Sequence, residues 1–78
     1  MFHERLHSAR KSKNLKLCEM ANMLGIALRS YQRYESGIRF PPYSTLVQIA
    51  DLLDVSIDWL LGRDEWLQSH GVSFDVLR

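Results

Sequence analysis

Arg29, Gln32, Arg33 and Ser36 recur at i, i+3, i+4 and i+7, the spacing that puts four side chains on one face of a helix. Arginine and glutamine are the side chains best able to make paired hydrogen bonds to guanine and adenine edges in the major groove of DNA. One such residue on a helix is ordinarily a solvated side chain and nothing more. A row of them gains meaning when the surrounding elements present it rigidly at a surface, as a short helix bounded by a turn and a stop signal would.

Those elements can be read from the spacing of apolar residues. Tyr31 and Tyr34 lie opposite the polar row, and Gly37 closes their helix, which starts near Leu28. Ahead of it, Leu17, Met20, Ala21 and Leu24 form one apolar stripe of a two-turn helix. Gly25 follows directly, where a left-handed residue ends a helix at little cost, and Ile26 bridges the gap. Two short helices across a tight glycine-containing turn predict a helix-turn-helix motif. Residues 2–13 predict a first helix with Phe2, Leu6 and Ala9 inward and His3, Arg5, His7 and Lys11 outward, and Asn14 is suited to the left-handed turn after it. Ile38 to Pro42 is a loop, since two prolines forbid continuation of a helix. Tyr43 or Ser44 opens a fourth helix with Leu46, Ile49, Ala50 and Leu53 inward, widened by Val47. Asp54-Val55-Ser56 breaks it, and Ser56 is a natural N-cap for a fifth, Ile57 to Leu61, ended by Gly62. Asp58 sits in the first turn of that helix, where a negative charge suits the dipole. The expected fold is all-α: a compact five-helix domain over residues 1–62 with a short extension at 63–78.

Length and composition agree with that size. Seventy-eight residues allow one domain and one small core. With 46% apolar and 24% charged residues the chain reads as globular. No stretch approaches the roughly 20 apolar residues of a membrane span, and no signal-peptide run opens the chain. Cys18 is alone, so no disulfide framework is expected, which points to the cytoplasm. His3 and His7 have an i, i+4 spacing but no evident third ligand, so surface histidines are expected and no metal or cofactor. There is no glycine-rich phosphate loop, no nucleophile next to a base and no pair of buried carboxylates, so an enzyme is not expected.

The net charge of +1 looks too small for a nucleic-acid binder until its distribution is read. Residues 1–16 carry Arg5, Arg10, Lys11, Lys13 and Lys16 against Glu4, a local +4. Residues 28–39 carry Arg29, Arg33 and Arg39 against Glu35, a local +2, whereas residues 40–62 carry only Asp51, Asp54 and Asp58, a local −3. A basic end and an acidic end result, and clustering governs steering onto a polyanion more than the total does.

The extension behaves differently. Trp66 and Leu67 suggest one or two more helical turns, and beyond Gly71 Val72, Phe74 and Val76 alternate with Ser73 and Asp75 in a strand-like period. Three apolar residues on one face of a lone strand invite a partner. Residues 64–78 are therefore expected to form a homodimer contact through Trp66, Leu67, Val72, Phe74 and Val76, as a paired strand or a swapped helix.

From about Leu6 to Gly62 the chain resembles the helix-turn-helix domain of the phage Cro and repressor type, common in bacterial transcriptional regulators. The matching pieces are Arg10 near the end of helix one, M-A-N-M-L-G-I in helix two and the turn, and Y-E-S-G ending helix three. P-P-Y-S-T-L-V-Q-I-A-D-L-L-D-V-S-I-D-W-L-L-G covers helices four and five. The resemblance implies that helix three enters the major groove, with Leu28, Arg29, Gln32 and Arg33 facing base edges. It places Lys16 near a phosphate and Ser30 and Arg39 near phosphates or the neighbouring groove, and pairs Arg10 with Glu35 as a brace between helices one and three. It implies a small regulator, a repressor, on double-stranded operator DNA. One recognition helix reads only a few base pairs, so a homodimer on a two-fold-symmetric site is expected, with no small-molecule ligand. An antitoxin-like protein-interaction module on the same fold is the alternative. Where the family has Thr-Gln opening helix two this chain has Lys16-Leu17, and where it has a Ser/Thr cap on helix three this chain has Ala27, a loss of about 0.5–2 kcal/mol at such a site. Leu28 can make only apolar contact, for which a thymine methyl is the target.

Overall fold

The apolar stripes of the sequence become the inner faces of five α-helices within residues 1–63, the part of the chain that the computed structural model describes. They are α1 (Phe2–Ser12), α2 (Leu17–Leu24), α3 (Leu28–Ser36), α4 (Tyr43–Leu53) and α5 (Ile57–Leu60). Every helix gives residues to one core: Leu6 and Ala9 from α1, Met20, Ala21 and Leu24 from α2, Tyr31 and Tyr34 from α3, Leu46, Ile49, Ala50 and Leu53 from α4, and Leu60 from α5. Helix α3 packs on both α1 and α2, α4 packs on α2 and α5, and α5 also meets α1. The two tyrosines hold α3 from beneath, edge to face, with ring centroids 6.4 Å apart.

All five helices stop in one way. A residue with positive φ follows the last turn, and the N–H of the next residue reaches back to a carbonyl five positions earlier, which satisfies an otherwise orphaned acceptor. The stops are Asn14, Gly25, Gly37, Asp54 and Gly62. The returning bonds are Leu15 to Arg10 (3.3 Å), Ile26 to Ala21 (3.0 Å), Ile38 to Arg33 (3.1 Å), Val55 to Ala50 (3.0 Å) and Arg63 to Asp58 (2.8 Å). Leu15, Ile26 and Val55 then pack against the core, so each stop also aims the chain into its next element. At Asp54 the sequence predicts only a break. The residue in fact takes the left-handed conformation at φ 54°, which a short polar side chain tolerates.

Helix starts are more varied. Ser56 Oγ accepts the N–H of Trp59 at 3.0 Å and caps α5. Lys16, at the start of α2, has no side-chain acceptor to offer. Glu19 compensates in part by accepting the backbone N–H of Lys16 at 2.8 Å, the reciprocal half of a capping box. Ala27 leaves the start of α3 without any side-chain cap. In the loop to α4, Pro41 is buried and the ring of Phe40 lies 4.7 Å from that of Phe2. The expected dimer residues Trp66, Leu67, Val72, Phe74 and Val76 lie outside the described residues.

Candidate nucleic-acid interface

Because Tyr31 and Tyr34 are fixed inward, helix geometry alone turns Arg29, Gln32, Arg33 and Ser36 outward, and all four are exposed. Leu28, the first residue of α3, is 42% exposed, a large apolar side chain at the same surface. Ser30 is half-buried at the edge of the face. Arg39 follows the helix on the loop, with its backbone N–H held by the carbonyl of Arg33 at 3.2 Å, and its side chain is exposed. Lys16 is exposed at the start of α2. Among the described residues, Lys16, Arg29, Arg33 and Arg39 enter no ion pair, so their charges are available to an external anion.

Beneath this face lies a polar cluster that ties α3 to α1. Arg10 Nε donates to Glu35 Oε2 at 2.6 Å, and its second terminal nitrogen reaches Oε1 at 3.2 Å. The pair is bidentate, with both side chains less than a tenth exposed. The remaining Arg10 nitrogen donates to the carbonyl of Leu15 at 2.6 Å, so the same guanidinium also fixes the loop into α2. Two further contacts bring Glu35 its other partners. Tyr31, one turn earlier on α3, donates its hydroxyl to Oε2 at 2.5 Å, and Nδ1 of His7 on α1 lies 2.9 Å from Oε1.

The electrostatics follow from these partners. Burial pushes the Glu35 carboxyl up, but the hydrogen bonds from Arg10, Tyr31 and His7 outweigh it and hold the group below its ordinary value, ionised. Burial, then the hydrogen bond to Glu35, drives the Tyr31 phenol far above its ordinary value, so it remains a donor. The hydrogen bond to Glu35 raises Arg10 further above the physiological range, against the opposing effect of burial. Among the described residues every buried side-chain nitrogen or oxygen has a partner.

Two residues expected at the surface are engaged instead. Arg5 is half-buried: its guanidinium donates to the carbonyl of Trp59 at 2.6 Å and lies 5.0 Å from the indole ring. Its charge therefore serves the junction of α1 and α5, because a flat guanidinium is stabilised over an aromatic face. His3 is half-buried as well, with its ring packed against the backbone at Gly37, where an added Cβ would come within 2.9 Å of Nδ1. Tyr31 and His7 had a signal in the sequence as hydrogen-bond donors to Glu35. Tyr31 and Glu35 are four apart on one helix, and His7 and Arg10 are three apart on another; the resemblance supplied the Arg10–Glu35 brace but neither of these two additional partners.

Comparisons with known proteins agree with this geometry. The family model described as a helix-turn-helix domain matches residues 3–63. An uncharacterized HTH-type transcriptional regulator of Bacillus subtilis (strain 168), YqaE, is 49% identical over 61 residues, which is 78% of this chain and 53% of that protein. The cryptic phage CTXphi transcriptional repressor RstR of Vibrio cholerae serotype O1 is 50% identical over 60 residues, or 77% of this chain and 54% of that protein. Among solved structures, SinR, described as the master regulator for biofilm formation in complex with DNA, superposes with a TM-score of 0.72 at 31% identity. That match covers 78% of this chain and 98% of the SinR chain. The chain spans about half the length of the curated relatives it matches. No helix among the described residues is long and apolar enough to cross a membrane.

Proposed function

Because the chain belongs to the helix-turn-helix domain family, we propose that it is a small transcriptional regulator, a repressor, that binds double-stranded operator DNA sequence-specifically through α3. The observation that carries this reading is the outward row of Arg29, Gln32 and Arg33 over a helix pinned from below by two tyrosines and a buried ion pair. A transcriptional repressor among the relatives and a structural neighbour solved with DNA support it.

In this reading Arg29, Gln32 and Arg33 hydrogen-bond base edges and Leu28 meets a thymine methyl. Lys16, Ser30 and Arg39 contact phosphates, which position the domain without reading sequence. Chemistry on a bond has no part in it. Arg10 and Glu35 do not touch the DNA; they fix the angle at which α3 leaves α1. The protein works in the cytoplasm as a homodimer, joined through Trp66, Leu67, Val72, Phe74 and Val76, and residues 1–62 are the DNA-binding domain. Selection from random duplexes tests the reading: recovery of an inverted repeat supports it, and recovery of no preferred sequence overturns sequence-specific binding. Truncation after Arg63, followed by sedimentation beside the full chain at micromolar concentrations, tests the dimer contact. Equal masses for the two overturn it.

A second reading, an antitoxin-like interaction module on the same fold, is favoured by one specific observation. Ile38 is 77% and Tyr43 76% exposed, with Phe40 exposed between them, an unusual concentration of large apolar surface after α3. Protein capture by the full chain, lost on replacing Ile38 and Tyr43 by serine with DNA binding retained, would favour this reading.

A further inference from the structure

We propose that His7 is a second positioning residue for α3, acting through Glu35 to hold the base-facing row at its reading angle. The proposal rests on the DNA-binding reading above. Among the described residues three side chains supply Glu35, but Tyr31 belongs to α3 itself, so its bond fixes the Glu35 rotamer without joining two elements. Only Arg10 and His7 cross from α1, and they stand one turn apart on it. Arg10 Nε takes Oε2 at 2.6 Å. The nitrogen nearest Oε1 is His7 Nδ1 at 2.9 Å, with Arg10 behind it at 3.2 Å. Each carboxylate oxygen thus has its own close contact on α1, and at Oε1 His7 reinforces the longer of the two Arg10 bonds. Glu35 follows Gln32 by three residues and Arg33 by two, so a small rotation of α3 about one anchor displaces both readers.

The contact has a definite chemical requirement. Nδ1 must carry a proton to donate to Oε1. Without it, a lone pair would face the carboxylate oxygen, and Nδ1 would accept instead from Arg10, whose nitrogen lies 3.3 Å away. An asparagine at position 7 restores a short N–H donor, whereas an alanine supplies none. Glutamine at position 35 removes the charge and leaves one acceptor oxygen for the three donors, so the charge-assisted His7 bond is lost there. His7 is half-exposed, so these substitutions at position 7 leave the core intact.

The test measures affinity of the full chain for the duplex recovered by selection and for a shuffled duplex, in His7→Ala, His7→Asn, Glu35→Gln and the His7→Ala/Glu35→Gln double variant. Loss of one hydrogen bond of this kind predicts about a two- to tenfold weaker affinity for the selected duplex in His7→Ala. The shuffled duplex and the salt dependence should be unaffected. His7→Asn should recover most of the loss, and in the Glu35→Gln background His7→Ala should add little. A loss that persists in full beside Glu35→Gln overturns the proposal. So does a salt slope lowered by about one, which would make His7 a phosphate contact, or an undiminished affinity. Nitrogen NMR of the free chain needs no DNA: a protonated His7 Nδ1 in the parent supports the contact, and a proton confined to Nε2 refutes it. If selection recovers no duplex, it is the DNA reading that fails, and the NMR result still judges the His7–Glu35 bond.

Discussion

Replacing Arg10 by methionine should remove more stability than any other single exchange of a charged residue among those described. The Arg10 and Glu35 side chains are 8% and 7% exposed, so the pair is screened little by water. Removing one partner of a buried pair leaves the other charge uncompensated, a cost of roughly 3–5 kcal/mol. Here Glu35 keeps Tyr31 and His7 as partners, while the Leu15 carbonyl also loses its donor, so about 3 kcal/mol is the reasoned value. A domain of this size carries roughly 3–9 kcal/mol in all, and each kcal/mol moves the melting temperature by about 4–8 °C. Denaturant unfolding should show the loss, and thermal unfolding a drop of about 12–24 °C. The pH profile adds an independent check. The folded-state pKa of Glu35 is depressed, so its contribution is fully present above the unfolded carboxylate value and lost as pH falls through the depressed one. With Arg10 gone, burial gains weight and the loss should begin at higher pH. A penalty below about 1 kcal/mol with an unchanged acid limb would mean that the pair behaves as a solvent-exposed one and does not brace α3 against α1.

Arg33→Ala should cost roughly 1–3 kcal/mol on the selected duplex and relax discrimination at one or two positions, measured by competition with single-base variants. Arg29→Ala should cost less on the same duplex, and an equal or larger loss would count against a rigid C-terminal half of α3. Lys16→Ala should weaken all sequences alike and lower the slope of log affinity against log salt by about one; an unchanged slope places Lys16 away from the backbone. Ala27→Ser should stabilise the fold by about 0.5–2 kcal/mol in denaturant unfolding, since Ala27 already has the extended N-cap conformation, with φ −67° and ψ 146°.

What the sequence made legible is what depends on periodicity and on local backbone chemistry. The stripes Leu17-Met20-Ala21-Leu24 and Leu46-Ile49-Ala50-Leu53 set two helices, and the core follows from them, with Leu17 only partly buried at its margin. Gly25 and Gly37 marked two stops because a left-handed residue suits glycine, and Ser56 marked a start because its hydroxyl reaches an amide two or three residues on. Arg5 shows where that logic ends. Its place on α1 looked outward, but only the folded chain brings Trp59, 54 positions away, beneath its guanidinium. Glu19 shows another limit. Its carboxylate reads as a surface charge until Lys16 proves unable to cap α2, and the acid three residues on does half the task. In the Glu35 cluster the resemblance supplied the Arg10 brace, but the His7 contact needed helix-packing geometry that no spacing within a single helix supplies.

The distribution of restraints along α3 has a consequence for how it would read DNA. Its first turn has no side-chain cap, since Ala27 cannot accept the free amides of that turn. Its second half is held on three sides: Tyr34 in the core, Glu35 bonded to α1, and the Gly37 stop returning Ile38 to the Arg33 carbonyl. Helix ends without caps fray first, because their amides exchange protein partners for water at little cost. Gln32 and Arg33 therefore project from the stiff part of the helix, where a bidentate contact needs little further ordering. Arg29 projects from the part that must still be ordered on binding, and a guanidinium on a looser turn tolerates more than one base. Leu28, beside it, offers only apolar contact. Discrimination should concentrate at the base pairs under Gln32 and Arg33, with a permissive flank under Leu28 and Arg29.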